Sequence, residues 1–182
     1  MRRETLTYAL GTCTLGTVLV ATSGIGVCAT AIGDDTSSLE RTLATWFPNA
    51  TLQRDAHGEY DSVLAAAIHV VDGDENPSSL TLDVRGTAFQ QRVWRALLDV
   101  PAGTTVTYTE LARRIGEPPT KARAVGAANA ANRIAVAIPC HRVVGTDGSL
   151  TGYRWGIDRK RALLERERLT ATRDVDALGA NR

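Results

Sequence analysis

A helix-turn-helix pattern occupies residues 107–132, TYTELARRIGEPPTKARAVGAANAAN. Thr107 and Glu110 have the spacing of a capping box, which predicts that a helix begins there and runs to residue 116. The segment EPPT at 117–120 predicts a turn, and the alanine-rich segment 121–132 predicts a second helix. Two short helices joined by such a turn are typical of a helix-turn-helix, although an ordinary helical hairpin gives the same pattern.

The composition of the predicted second helix indicates what it could bind. Helices that read base edges in the major groove present long polar side chains, whereas alanine and glycine dominate residues 121–132. A helix of this kind can approach a narrow groove closely, and Arg123 supplies a long side chain near its start. The pattern favours shape-based contact in the minor groove, with Arg123 filling a gap in the base stack.

A second motif, IPCHRV, follows at residues 138–143. The apolar run 134–138 predicts a strand that delivers Cys140, and His141 stands next to it as a potential base for a nucleophilic thiol. Neighbouring side chains on extended backbone point to opposite faces, so the two groups would interact through a bridging water or in a turn set by Pro139. A buried structural cysteine followed by a solvent-facing histidine is the alternative interpretation.

The segments around these motifs predict a helical second half. Apolar residues at three- and four-residue intervals predict a core-facing helix from Thr87 to Leu98. The glycine-punctuated segment 145–156 predicts a loop long enough to close over a pocket. An amphipathic helix is predicted over 157–168, and residues 169–182 are predicted to be a disordered tail.

The first half predicts an α/β arrangement. Two buried strands are expected within 17–21 and 27–32, joined by a turn at Ser23-Gly24. This chargeless region resembles a secretory signal or membrane span, but glycines and threonines interrupt it, so paired strands are the simpler interpretation. Residues 34–37 offer N-cap side chains for a helix that runs through Leu39 and Leu43 to Trp46, and a second helix is predicted over 59–71. A short strand is predicted over 80–84. We place the subdomain boundary after Arg85, which gives an α/β subdomain at 1–85 and a helical one at 86–168.

The charge distribution supports the same division. Residues 1–85 carry 5 Lys/Arg against 11 Asp/Glu, whereas residues 86–168 carry 14 against 7, although the whole chain has a net charge of only +1. A basic half joined to an acidic half indicates a polyanion-binding surface in the C-terminal part, and a solvated basic face without a partner is the alternative.

The three cysteines are too few and too scattered for a disulfide framework or a four-cysteine zinc site. A reducing cytosol suits them best, so we expect a cytoplasmic protein. A mixed metal site that includes His57 and His69 lacks the spacing of ligand pairs, and we expect no metal.

Together, four segments of this chain resemble the O6-alkylguanine-DNA alkyltransferase family across roughly residues 5–168, most closely the C-terminal half of its Ada-type members. The segments are RGTAFQQ at 85–91, RAVG at 123–126, IPCHRV at 138–143 and GYRWG at 152–156. The resemblance implies a mixed α/β fold, with a ribonuclease H-like N-terminal subdomain and a winged-helix-like C-terminal one. It also implies repair of O6-methylguanine, and of O4-methylthymine, in double-stranded DNA by a monomer that needs no cofactor.

The resemblance further implies a role for individual residues. Cys140 would be the alkyl acceptor, His141 its water-mediated base and Glu167 the carboxylate that orients the histidine. Asn132 would brace the turn before the active-site strand, and Tyr108 would donate a proton to the departing guanine. The DNA-binding surface would comprise Arg123, Ala124, Gly126, Ala127 and Ala130, and the base pocket would be lined near Val143, Tyr153, Arg154 and Trp155.

The chain also departs from the family pattern. Some members carry an arginine late in the recognition helix, where this chain has Ala130. The cysteine-rich regulatory part of Ada-type members has no counterpart in the sequence, so phosphotriester repair and transcriptional activation are not expected. Two other functions are compatible with parts of the pattern, a non-catalytic DNA-binding regulator and a Cys-His hydrolase or acyl transferase.

Overall fold

The computed structural model describes residues 3–73 and 79–179, and the side chains of these residues up to 172. The chain divides into two compact units. The first unit comprises the described residues up to Arg85 together with Arg133–Ala137, and the second comprises Gly86–Asn132 together with the described residues from Ile138 onward. The sequence prediction placed residues 133–137 in the second subdomain, so the observed division differs from it there.

The first unit is built on a four-stranded sheet with the order β3-β2-β1-β4. Strands β1 (Thr5–Cys13), β2 (Gly16–Thr22) and β3 (Val27–Gly33) form an antiparallel meander, and β4 (Thr51–Arg54) pairs in parallel with β1. Residues in β2 and β3 are almost all buried, which explains why these strands read as continuous apolar runs.

Two helices complete the first unit. Helix α1 (Thr36–Trp46) begins at the N-cap Asp35, whose carboxylate accepts a hydrogen bond from the Ser38 amide, and it packs against β3. Helix α2 (Asp61–Asp72) packs against β1 and β2, and it ends at Gly73, whose φ of 81° suits glycine. Both helices lie within one or two residues of the predicted bounds.

The strand predictions in the first unit need correction. Strands β1 and β4 were not predicted. The hairpin loop comprises residues 23–26 and so is longer than a turn at Ser23-Gly24, because Thr22 pairs with Val27. The predicted strand at 80–84 is reduced to one isolated bridge between Val27 and Leu82.

The predicted strand at 134–138 is likewise reduced to isolated bridge positions at 134, 135 and 138, one of which pairs Ile134 with Thr30. Val136 adopts a φ of 66°, which interrupts the extended backbone that the apolar run predicted. A positive φ is rare for a β-branched residue, so packing around this segment must hold it.

The second unit is mainly helical. Its elements are α3 (Ala88–Leu98), β5 (Val106–Thr107), α4 (Tyr108–Arg114), α5 (Ala122–Ala130), β6 (Val143–Val144) and α6 (Ile157–Gly179). The helices α3 and α4 both begin with a complete capping box, from Thr87 and Gln90 and from Thr107 and Glu110. The predicted helix-turn-helix is therefore present as α4 and α5, joined by a turn with a 3-10 segment at Pro119–Lys121.

Tertiary hydrogen bonds and strand pairing hold the second unit together. Strands β5 and β6 pair in parallel, which places Val106 opposite Val143. The indole N–H of Trp94 on α3 donates to the Ala128 carbonyl on α5 at 2.8 Å. The final helix α6 continues to Gly179, so the predicted disordered tail is helical at 169–179, and residues 180–182 lie outside the described part. The elements of the two units together have the mixed α+β character that the sequence predicted.

Candidate active site

A cavity of about 910 Å³ lies in the second unit, between the helix-turn-helix and the loop at 145–156. Helix α4 contributes Tyr108, helix α5 contributes Arg123, Gly126 and Ala130, and the loop contributes Tyr153, Arg154 and Trp155. Asn132 and Cys140 complete this part of the wall. The cavity therefore brings together residues from the helix-turn-helix, the IPCHRV motif and the GYRWG segment.

Cys140 is held in a 3-10 turn, Cys140–Arg142, rather than on a strand. The turn is closed by a hydrogen bond from the Arg142 amide to the Pro139 carbonyl at 3.0 Å. Two asparagine side chains brace it. Asn132 donates from Nδ2 to the Ile138 carbonyl at 2.9 Å, and Asn129 donates from Nδ2 to the Cys140 carbonyl at 3.2 Å.

The environment of the Cys140 thiol contains opposing influences. The residue is only 6% exposed although it lines the cavity, and this burial raises the pKa of its thiol. A hydrogen bond with the Asn132 side chain and the positive charge of Lys160 act to lower it. A thiolate in this position is therefore costly in free energy, and these neighbours offset part of the cost.

His141 is fully buried and bonds to Glu167. Its Nε2 lies 2.8 Å from Oε1 of Glu167, while Nδ1 has no hydrogen-bond partner among the described residues. Burial lowers the pKa of His141, which favours the neutral imidazole, and the carboxylate acts in the opposite direction. A neutral imidazole with one free ring nitrogen can accept a proton.

Glu167 is held ionised by two partners. Burial would raise its pKa, but hydrogen bonds from His141 and Arg142 outweigh this effect and lower the pKa to about 2. Arg142 donates from Nη2 to Oε1 at 2.8 Å and from Nε to Oε2 at 3.0 Å, and its Nη1 donates to the Val100 carbonyl at 2.5 Å. The structural role of Arg142 was not predicted, although it is adjacent to His141 in the motif.

Two further residues of the site were also missed from the sequence, Asn129 and Lys160. Lys160 is completely buried, and its ammonium group donates to the carbonyl oxygens of Val143 at 2.6 Å and Thr151 at 2.8 Å. One signal was available in the composition. The chain has 19 arginines and only two lysines, so a lysine at an apolar-facing helix position stands out.

The exposed face of α5 carries the residues predicted to contact DNA. Arg123, Ala124, Ala127 and Ala130 are exposed and Gly126 is partly exposed, whereas Val125, Ala128 and Asn129 face the core. A Cβ at position 126 would lie 3.6 Å from the Tyr108 ring, an ordinary van der Waals distance, so the ring packs next to this position of the helix. This face of α5 therefore carries small side chains together with one long, positively charged side chain, that of Arg123.

The other predicted pocket residues differ in where they lie. Tyr153, Arg154 and Trp155 line the cavity, and Arg154 donates from Nη2 to the Ala130 carbonyl at 2.9 Å. Val143 is not among the residues that line it. Its side chain is fully buried, and its carbonyl oxygen accepts a hydrogen bond from Lys160.

The described residues form no disulfide and no metal cluster. Within residues 3–73 and 79–179, no group of three or more His, Cys, Asp and Glu side chains is arranged to hold a metal ion. Cys13, Cys28 and Cys140 are buried and form no disulfide. None of the helices in the described ranges is both long and apolar enough to cross a membrane.

Known proteins share both the sequence and the fold of this chain. Residues 88–169 match the family described as 6-O-methylguanine DNA methyltransferase, DNA binding domain. The methylated-DNA–protein-cysteine methyltransferase of Mycobacterium bovis is 44% identical over 143 residues, which cover 79% of this chain and 86% of that protein. The crystal structure of Mycobacterium tuberculosis OGT in complex with DNA superimposes with a TM-score of 0.73 at 39% identity, covering 89% of this chain and 92% of that one.

A longer relative matches over only part of its length. The bifunctional transcriptional activator/DNA repair enzyme Ada of Escherichia coli is 48% identical over 160 residues, which cover 88% of this chain but 45% of Ada. The fold and the cysteine site define a protein of the alkyltransferase class. The chain belongs to the methylated-DNA–protein-cysteine methyltransferase family.

Proposed function

We propose that this protein repairs DNA by transferring the alkyl group of O6-alkylguanine directly and irreversibly to Cys140. The observation that carries the proposal is the position of the Cys140 thiol. It is buried, yet it lines a cavity that residues of α5, the second helix of the helix-turn-helix, also line. A thiol in this position can meet a base only if the base leaves the duplex and enters the cavity.

His141 and Glu167 prepare the thiol for attack. His141 Nδ1 would accept the thiol proton through a water molecule, and the carboxylate 2.8 Å from Nε2 would stabilise the imidazolium that results. The sulfur then attacks the alkyl carbon in line, so that the S–C bond forms as the C–O6 bond breaks. Asn132 would keep the turn that carries Cys140 in place through its bond to the Ile138 carbonyl.

Tyr108 would assist the leaving group. As the C–O6 bond breaks, negative charge develops on the guanine, and a hydroxyl in the cavity wall can donate a hydrogen bond or proton to it. Solvent then restores the tyrosine proton, and the products are unmodified guanine and S-alkylcysteine. A thioether has no easy route to hydrolysis, so each protein molecule reacts once.

Helix α5 would supply the DNA contact. The small residues Ala124, Gly126, Ala127 and Ala130 would allow close approach to the minor groove, and Arg123 would occupy the space that the extruded base leaves. The basic second half would bind phosphates with little dependence on sequence. Tyr153, Arg154 and Trp155 would enclose the extruded base. Val143 would contribute to the base pocket through its main chain, whose carbonyl oxygen accepts a hydrogen bond from Lys160.

We extend the proposal to O4-methylthymine as a second substrate, to a monomer as the active form, and to a cytoplasmic location, for which the three cysteines, which form no disulfide, give support. No cofactor is required by the chemistry. We do not extend it to transcriptional activation, because the chain spans only 45% of the length of Ada.

Mass spectrometry of the intact protein tests the proposal against its alternatives. After incubation with an excess of duplex DNA that contains O6-methylguanine, the protein should gain about 14 Da, one methylene, and the reaction should stop at one equivalent. A DNA-binding regulator would bind without a mass change, and a hydrolase or acyl transferase would show no dependence on the methylated base. Unchanged protein mass with the DNA fully bound would contradict the proposal.

A further inference from the structure

Arg154 joins the loop that lines the cavity to the end of helix α5. Its side chain is exposed, and its Nη2 donates a hydrogen bond to the Ala130 carbonyl at 2.9 Å. Ala130 is the last residue of α5 and is itself exposed. The Arg154 guanidinium therefore lies at the C-terminal end of the second helix of the helix-turn-helix, although it belongs to a different segment of the chain.

The end of α5 fixes the position of this guanidinium. The last carbonyl groups of a helix lack donors within the helix. Backbone amides of residues 131 and 132 donate to the three carbonyls before Ala130, and the Arg154 side chain donates to the Ala130 carbonyl itself. The helix dipole also favours a cation here, because its negative end lies at the C-terminus. The hydrogen bond and the dipole together hold the positive charge next to the exposed face of α5.

Arg154 supplies a positive charge where the helix itself carries small neutral side chains. The last turn of α5 reads AANA at 127–130, whereas Arg123 lies in the first turn. Positions 123 and 130 are seven residues apart, which corresponds to about 10 Å along the helix axis. The small exposed residues of α5 therefore lie between two arginine side chains, one from the helix and one from the loop.

This arrangement suits double-stranded DNA. The minor groove is about 6 Å wide, and phosphates border it on both sides. Because about 10 Å of helix separates position 123 from position 130, the end of α5 comes to the bordering phosphates when Arg123 enters the groove. A planar guanidinium can donate to a carbonyl with one nitrogen and to a phosphate with another. The bond to Ala130 is thus compatible with a contact to the DNA backbone.

We propose that Arg154, besides lining the base pocket, binds a DNA phosphate at the end of α5 and is the second DNA-binding arginine of this surface. The inference rests on the proposed function, because it assumes that α5 contacts the duplex. Arg154 lies between Tyr153 and Trp155, which line the cavity. The phosphate contact therefore ties the wall of the pocket to the bound duplex.

The first experiment measures how binding to an undamaged duplex depends on salt concentration. Arg154→Gln should bind on the order of tenfold more weakly at about 50 mM salt. The slope of the logarithm of the binding constant against the logarithm of the salt concentration should also fall by about one, the contribution of one phosphate contact. Arg154→Lys should restore the slope, because it keeps the charge.

The matched control is Arg161→Gln, which removes an exposed arginine, paired with Asp158, from α6. This variant should keep the slope of the unmodified protein. If Arg154 only fastens the loop to α5, Arg154→Gln will bind more weakly with an unchanged slope. That result, or an equal decrease of the slope in Arg161→Gln, would overturn the proposal.

A second experiment moves the charge from the loop to the helix. Ala130→Arg combined with Arg154→Gln returns a positive charge to the exposed end of α5, and the slope should recover. A slope equal to that of Arg154→Gln alone would overturn the proposal. Neither experiment uses O6-methylguanine, so a failed inference leaves the methyl-transfer test unaffected. A lack of duplex binding by the unmodified protein would contradict both this inference and the proposed function.

Discussion

Cys28 and Cys140 are both buried cysteines, but their surroundings differ. Cys28 lies on β3, only 2% exposed, with its sulfur 3.4 Å from the Ala21 carbonyl, and burial raises the pKa of its thiol to about 11. Cys140 is nearly as buried, but it lines a cavity, and a hydrogen bond with the Asn132 side chain and the charge of Lys160 act to lower the pKa of its thiol. A thiol that is only buried is inert. A buried thiol that lines a cavity, and whose pKa neighbouring groups act to lower, can react.

The largest difference between the two cysteines should appear when each is removed. We expect Cys140→Ser to abolish methyl transfer completely while duplex binding persists, because serine oxygen is a far weaker nucleophile than a thiolate. Cys28→Ser should keep the transfer activity, since this sulfur does not line the cavity. Transfer assays with labelled methyl DNA, together with a binding assay, check both variants. Residual transfer by Cys140→Ser would remove this cysteine from its proposed role.

Glu167 should account for much of the difference in reactivity between the thiols of Cys140 and Cys28. We expect Glu167→Gln to slow transfer roughly a hundredfold, because the imidazolium of His141 loses its stabilising carboxylate. The pH profile of Cys140 alkylation should also move to higher pH. The control is Glu165→Gln, which removes an exposed carboxylate paired with Arg168 on the same helix. Equal rates in the two variants would exclude Glu167 from thiol activation.

The same variant has a consequence for stability. The pKa of Glu167 is about 2 in the folded protein and near 4.5 when unperturbed, so its ionised form stabilises the fold above about pH 4.5. This contribution is lost as the pH falls through about 2. Glu167→Gln should therefore be destabilised by about 3 kcal/mol at neutral pH, since it leaves the buried Arg142 unpaired. Denaturant melts should show that the gap narrows below pH 4.5, and a constant gap would contradict this assignment.

Trp155 tests whether the cavity wall selects the alkyl group that reaches Cys140. The side chain is 8% exposed and lines the cavity, and its carbonyl accepts a hydrogen bond from Arg159. If the ring borders the alkyl end of the pocket, a methyl group fits and a benzyl group collides with it. Inactivation by free O6-benzylguanine should then be slow, and Trp155→Ala should accelerate it on the order of a hundredfold. Fast inactivation of the unmodified protein would show that Trp155 only packs the loop.

Arg123 should affect the extrusion of the damaged base toward Cys140 and not the reactivity of the Cys140 thiol. We expect Arg123→Ala to slow repair of duplex DNA about tenfold or more and to affect reaction with free O6-methylguanine much less, because only the duplex requires base extrusion. Arg113→Ala removes another exposed arginine, at the end of α4, and should have the smaller effect on duplex repair. Equal losses on duplex and free base would assign Arg123 a different role.

The local elements of the second unit were predictable from the sequence, because capping boxes and apolar periodicity are local signals. Thr107 with Glu110 marked the start of α4 correctly, and Thr87 marked that of α3. The strand predicted at 134–138 is wrong, because the positive φ of Val136 depends on packing and leaves no trace in an apolar run. Strand β4 was missed because its side chains are largely exposed and polar.

The sequence could predict those site residues that belong to a recognisable motif. Cys140, His141 and Glu167 were assigned through the resemblance, and their roles remain predictions. The roles of Asn129, Arg142 and Lys160 could not be assigned, because each acts through a backbone carbonyl or a distant carboxylate. A bond from Lys160 to Val143 joins residues seventeen positions apart, and only the fold brings them together.

The destination of the methyl group tests the central claim most directly. After one turnover with duplex DNA that carries a ¹³C-labelled O6-methylguanine, the protein can be digested and the three cysteine-containing peptides analysed by mass spectrometry. The account predicts that the label resides on Cys140 in one equivalent and that Cys13 and Cys28 remain unmodified thiols. Label on the Cys28 or Cys13 peptide, or repaired DNA with all three thiols unmodified, would contradict it.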